Sequence, residues 1–132
     1  MSRPPFEVRP AELPPPRGFA HGMVAEGRIL SVAGQIGSGF DGRPVSDDFT
    51  EQFAQALDNV IAVVRTAGGA PEAIFQMTVF VTDLDAYLAS SKRLREAWAA
   101  RLGKHYPSMA LVAVAGLVEP GAKVEIMALA AL

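Results

Sequence analysis

Between residues 49 and 64 apolar side chains return at helical spacing: Phe49, Phe53, Ala56, Leu57, Val60, Ile61 and Val64. That spacing lays one apolar stripe along a helix. Asp48, with Glu51 three residues on, has the form of a capping box, and Gly68-Gly69 supplies the stop. A second helix is expected from Leu84 through Tyr87, Leu88, Leu94 and Trp98 to Leu102, closed by Gly103. Between them "AIFQMTVFV" (73–81) is rich in β-branched and aromatic residues and reads as a strand. Met23–Ala25 and Arg28–Gly34 look like a hairpin turning at Glu26-Gly27. Met109–Leu117 and Lys123–Ala131 look like a second strand pair joined at Pro120-Gly121.

The element order is therefore ββαβαββ, an α+β fold with two helices on one face of a five- or six-stranded mixed sheet. Along the strand from Met109, the side chains of Met109, Leu111 and Leu117 point one way and those of Val112 and Val114 the other. Both faces are apolar, yet helices cover only one. An uncovered apolar sheet face calls for a partner, so a homo-oligomer is expected. Residues 1–17 carry six prolines and form an extended arm, leaving 18–132 as a single domain. The glycines of "GSGFDGRPVSDD" (37–48) lack the spacing of a dinucleotide fingerprint.

Composition narrows the classes. Half of the 132 residues are hydrophobic and a fifth are charged, which is globular usage. A net charge of −2 with no Lys/Arg cluster gives no footprint for nucleic acid. Without cysteine there is no disulfide framework, thiolate nucleophile or thiolate metal site. His21 and His105 are too far apart for a metal-binding pair on one helix, and no metal is expected. No apolar run reaches membrane-spanning length, and the Pro-rich start is no secretory signal; a cytoplasmic protein with no membrane partner is the expectation.

Glu125, in "KVEIMALAAL", is the chain's most informative carboxylate. Strand alternation puts it on the face of Met127 and Leu129, away from Val124, Ile126 and Ala128. It is either a water-exposed strand residue or a carboxylate desolvated among apolar neighbours, which would suit general acid–base work. His21 offers a proton shuttle in principle, but a loop histidine more often lies on the surface or caps, as His105 would. Asp83 and Asp85 fit the N-terminus of the second helix. Ser90 and Ser91 fall mid-helix with no base beside them, and Arg93 and Arg95 read as a solvated helix face. Gly34, before Gln35, marks a place where backbone and ligand could approach closely.

"VAGQIG", "EQFAQALDNVIAVVRTAGG", "MTVFVTDLDAY" and "HYP…VAVAGL…G-VEIMALA", in that order, resemble the RidA/YjgF family of reactive-intermediate deaminases from about Gly18 to Leu132. The resemblance implies a chorismate-mutase-like fold assembled as a homotrimer, with small-molecule clefts between subunits and no bound cofactor. It implies hydrolysis of enamines and imines to keto acids and ammonia. Carried over by position, Glu125 matches the glutamate that positions the attacking water, and Gly34 the strand-end glycine. Leu111 keeps a backbone available for hydrogen bonding. Three positions depart: Met109 stands where the carboxylate-clamping Arg is usual, Ala20 where a Tyr is usual, and Ser91 where a cleft Asn is common. Methionine cannot hold a carboxylate, and a lost charged hydrogen bond costs roughly 1.5–3 kcal/mol. A cleft of Met109, Ala20, Phe19 and Leu111, with His21 as polar handle, suits a more apolar or aromatic ligand. The expected function is thus deamination of a non-standard imine or enamine. The alternative is a non-catalytic small-molecule-binding or chaperone-like member of the same family.

Overall fold

The stripe of the first helix is realised in full. In the computed structural model, which describes residues 3–132, helix α1 spans Phe49–Thr66 and buries Phe53, Ala56, Leu57, Val60 and Val64. The Asp48 carboxylate accepts the Glu51 N–H at 2.9 Å, satisfying one of the helix's unpaired N-terminal donors. The reciprocal half of a capping box is not made, because the Asp48 N–H donates to Ser46 Oγ. At the far end Gly68 takes a φ of 94°, while Gly68 and Gly69 donate to the Arg65 and Val64 carbonyls. This closes the last turn in a conformation that favours glycine.

The strands are β1 (Phe6–Val8), β2 (Gly22–Val24), β3 (Ile29–Ile36), β4 (Ile74–Val81), β5 (Ser108–Ala113) and β6 (Val124–Ala131). Helices α2 (Leu84–Ala89) and α3 (Ser91–Leu102) lie between β4 and β5. One sheet has the order β3-β6-β4-β5, with β4 and β5 parallel and the other pairs antiparallel; β1 and β2 form a separate ribbon. Helix α1 packs on β3 and β6 and against α3. The α+β class and the mixed sheet with helices on one face are as expected.

Several expected pairings are not. The sheet has four strands rather than five or six, because β2 pairs with β1 out of the Pro-rich arm. The first hairpin is absent: Arg28 and Leu132 exchange backbone hydrogen bonds, so β3 pairs with β6 instead. Nor is there a closing hairpin, for β4 lies between β5 and β6. The Pro120-Gly121 corner is held from α1. The buried Gln52 amide donates to Gly121 O at 3.0 Å and accepts from Lys123 N at 2.9 Å, steering the chain to β6. The second helix breaks at Ser90, whose hydroxyl donates to Ala86 O at 2.7 Å, making Ser91 the first residue of α3. Strand β5 ends at Ala113, short of Leu117.

Paired residues on neighbouring strands share a face, which sorts the sheet cleanly. Leu111, Val79 and Ile126 form one row, and Met109, Met77 and Ala128 the next. Both rows face the helices and join the core of Phe53, Leu57, Val60, Leu94 and Trp98. The alternate rows, Val112–Phe80–Glu125 and Ala110–Thr78–Met127, face away from it. Met127 is 44% exposed and Val112 43%, whereas Ile126 and Val79 are fully buried.

Candidate functional site

Two features could carry chemistry, and they lie on opposite faces of the sheet. On the helix side is a cavity of about 410 Å³. Val79, Met109 and Leu111 give its sheet wall, and Phe53, Leu94 and Trp98 its helix wall. Tyr87, Ser91 and Tyr106 line it as well, as do Arg17, Gly18 and Arg95, which are exposed. The Trp98 indole donates to His105 O at 3.1 Å and stacks on Tyr106 with centroids 5.7 Å apart and 4° between planes. His105 is half-buried rather than at the surface, because its Nε2–H donates to Ile74 O at 2.7 Å.

On the open side is Glu125. Its β3 partner is Ile36 and its β4 partner Phe80, so apolar groups flank it. Strand β3 is irregular between Val32 and Gln35, and Gly34 sits in that irregularity. A Cβ on Gly34 would come within 2.8 Å of Glu125 Cδ and 3.1 Å of Cγ, and closer still to Oε2. The missing side chain is therefore the seat of the carboxylate, as a strand-interior glycine often marks a close approach. Asn59 donates to the Ile36 and Ser38 carbonyls at 3.0 Å each, fixing the end of this strand from α1.

The predicted residues fall into two groups. Met109, Leu111 and Ser91 meet in the cavity; Glu125 and Gly34 meet on the open face. Ser91 donates its hydroxyl to Leu88 O at 3.0 Å, so its proton is committed to the helix junction. Ala20 is 2% exposed and holds the arm to the sheet by donating to Pro107 O at 3.0 Å. Its near neighbours Arg17 and Gly18, not Ala20, line the cavity. His21 is not a free polar handle: its Nε2–H donates to Pro14 O at 2.7 Å and its ring meets Phe19 edge-on. Among the described residues no group of three or more His, Asp or Glu could hold a metal ion. None of the described helices is long and apolar enough to cross a membrane.

Sequence reasoning missed Arg17, Arg95, Tyr87, Trp98 and Tyr106 as cavity residues. Arg93 and Arg95 are both exposed on α3, as expected of a solvated helix face, but their surroundings differ. Arg93 forks onto Asp48 with bonds of 3.0 and 2.9 Å, and Arg95 lines the cavity. That fork holds the Asp48 carboxyl below its usual range, with help from the Glu51 N–H, and raises Arg93 in return.

A helix-backed mixed sheet with this order of motifs defines a class, and sequence comparison gives it a name. The profile of the family described as Endoribonuclease L-PSP matches residues 10–132, and the chain belongs to this family, the RidA/YjgF proteins. It is 35% identical over 104 residues to the 2-iminobutanoate/2-iminopropanoate deaminase of Escherichia coli, covering 79% of this chain and 80% of that enzyme. With a RutC family protein of Aquifex aeolicus it shares 30% identity over 81 residues. That match covers 61% of this chain and 65% of that protein, just under two thirds of its length. The crystal structure of the Rid family protein YyfB from Yersinia pestis superposes with a TM-score of 0.87 at 27% identity, covering 98% of this chain and all of that one.

Proposed function

We propose that the chain hydrolyses a small imine or enamine, releasing a carbonyl compound and ammonia, at a cleft that a second copy completes. In one chain the Glu125 face and the Met109 cavity lie on opposite sides of the sheet. A homotrimer that buries the open face of Phe80, Val112 and Met127 would let the carboxylate of one copy meet the cavity of the next. The observation that carries this reading is the seat of Glu125 on Gly34, among apolar neighbours and on the strand face that no helix covers.

Water adds to the carbon of the C=N bond while Glu125 accepts a water proton, giving a carbinolamine. The nitrogen takes back the proton that Glu125 accepted, then the hydroxyl proton of the carbinolamine by way of the same carboxylate; the C–N bond breaks, ammonia leaves, and the carbon becomes a carbonyl, an enamine entering as its imine tautomer. β5 is the edge strand of its sheet, so backbone groups beside Met109 and Leu111 are available to hold developing charge. With methionine at 109 and aromatic walls, the cavity suits a substrate with a larger apolar body than the small imino acids.

The test follows imines generated in situ by an amino-acid oxidase, comparing unmodified protein with Glu125→Gln. The expected loss is about 10²-fold or more, the usual scale for removing a general base. Rates unchanged by the substitution would remove Glu125 from the mechanism. Rates no faster than without protein would sink the hydrolase reading and leave a ligand-binding role.

A further inference from the structure

Helix α3 carries three arginines, and two of them are committed. Arg93 forks onto Asp48, and Arg101 onto Asp58 with bonds of 2.7 and 3.2 Å. Both aspartates belong to the α1 side of the helix layer. Arg95 has no acidic partner among the described residues and lines the cavity instead. Arg17, which reaches the same cavity from the Pro-rich arm, has no acidic partner there either. Among the described residues no Asp or Glu lines this cavity beside the two guanidinium groups.

The walls have their own chemistry. Phe53, Tyr87, Trp98 and Tyr106 come from different parts of the chain, and the last two already lie parallel. Flat apolar walls with two unpaired cations at the mouth fit an anion on an aromatic body. A guanidinium can hold a carboxylate through two parallel hydrogen bonds, and low-dielectric walls concentrate its field. We infer that Arg17 and Arg95 recognise the carboxylate of the ligand, which is a small aryl-substituted 2-oxo or 2-imino acid. Methionine at 109 then gives apolar contact to the body of the ligand, while the charge is read by the two arginines. The imino group in this assignment rests on the hydrolase reading above; the recognition of ring and carboxylate does not.

Calorimetry with phenylpyruvate and its uncharged methyl ester tests the assignment. The acid should bind about tenfold or more tightly than the ester. Arg95→Met and Arg17→Met should each weaken the acid and leave the ester alone, the double variant should erase the preference, and Arg95→Lys should keep part of it. Both side chains are exposed, so the core is untouched. Salt provides a second measurement on the unmodified chain, weakening the acid but not the ester. Equal affinity for acid and ester, no binding of either, or a double variant that still prefers the acid would each overturn the inference. Acid binding through the arginines without imine hydrolysis overturns the hydrolase reading alone. Glu125-dependent hydrolysis with acid affinity indifferent to both arginines overturns this inference alone.

Discussion

Ile126 and Met127 are consecutive residues of β6, yet one is fully buried beneath the helices and the other is 44% exposed on the opposite face. The helix-side face is finished: α1 and α3 close over Val79, Ile126, Ala128 and Ala130. The other face carries Phe80, Val112, Met127 and Leu129, with Glu125 among them, and no helix of the described residues lies over it. A strand with period two thus buries one set of residues in the core and presents the alternate set on the face away from the helices. Substitutions on the first face should be felt as stability, and those on the second as assembly or turnover.

The largest effect should come from the finished face. Ile126→Ala removes a side chain with no solvent exposure and should cost about 2–5 kcal/mol in urea unfolding. Met127→Lys, one residue on, should leave the fold intact by circular dichroism and shift sedimentation toward a single chain. If Met127→Lys unfolds the protein while Ile126→Ala does not, the sorting of the two faces is wrong.

A middle-sized effect sits at the join between strand geometry and chemistry. Gly34→Ala puts a methyl where the Glu125 carboxylate lies. A side-chain end can swing aside more cheaply than backbone, so the stability cost should be about 1 kcal/mol, at the low end for overpacking. Turnover should nevertheless fall as far as in Glu125→Gln, because the carboxylate has lost its seat. In a Glu125→Ala background the alanine at 34 should cost little in melting temperature. A cost that persists there would show that Gly34 serves the backbone and not the carboxylate.

How much of this could be read from sequence depends on how far apart the deciding residues are. Helix α1 was legible because its stripe, its Asp48 cap and its Gly68 stop are local. The alternation that separates Glu125 from Ile126 was legible for the same reason. Pairings were not. Whether Lys123–Ala131 folds back on the preceding strand or slots between β3 and β4 is decided by Gln52, some 70 residues away in sequence, bonding Gly121 and Lys123. The helix break at Ser90 depends on a serine hydroxyl competing for a helix carbonyl, which a hydrophobic pattern does not register. The seat of Glu125 on Gly34 joins two strands distant in sequence, and the sequence marks only Gly34, as a place of close approach. Arg93, Arg95 and Arg101 look alike on α3. Only their partners, Asp48 and Asp58, distinguish the bound pair from the one that lines the cavity.

The smallest effect concerns the helix layer that covers the finished face. Arg93, through its hydrogen bonds, holds the Asp48 carboxyl below its ordinary 3.8. A carboxyl lowered by folding contributes stability above its unfolded pKa, and that contribution is lost as pH falls through the lower folded value. The Asp48–Arg93 fork should therefore be fully present at neutral pH and should fade below about pH 4. Arg93→Met removes the largest cause of the shift. The variant should melt slightly below the unmodified chain at pH 7, and the gap should narrow as the pH drops below 3.8. Both groups are open to solvent, so added salt should shrink the gap at pH 7 as well. Arg95→Met should show neither dependence, since it has no carboxylate to release. A gap of the same size for Arg95→Met would mean that Arg95 braces the helix layer as Arg93 does, and it would erase the distinction between a structural arginine and one left free for a ligand.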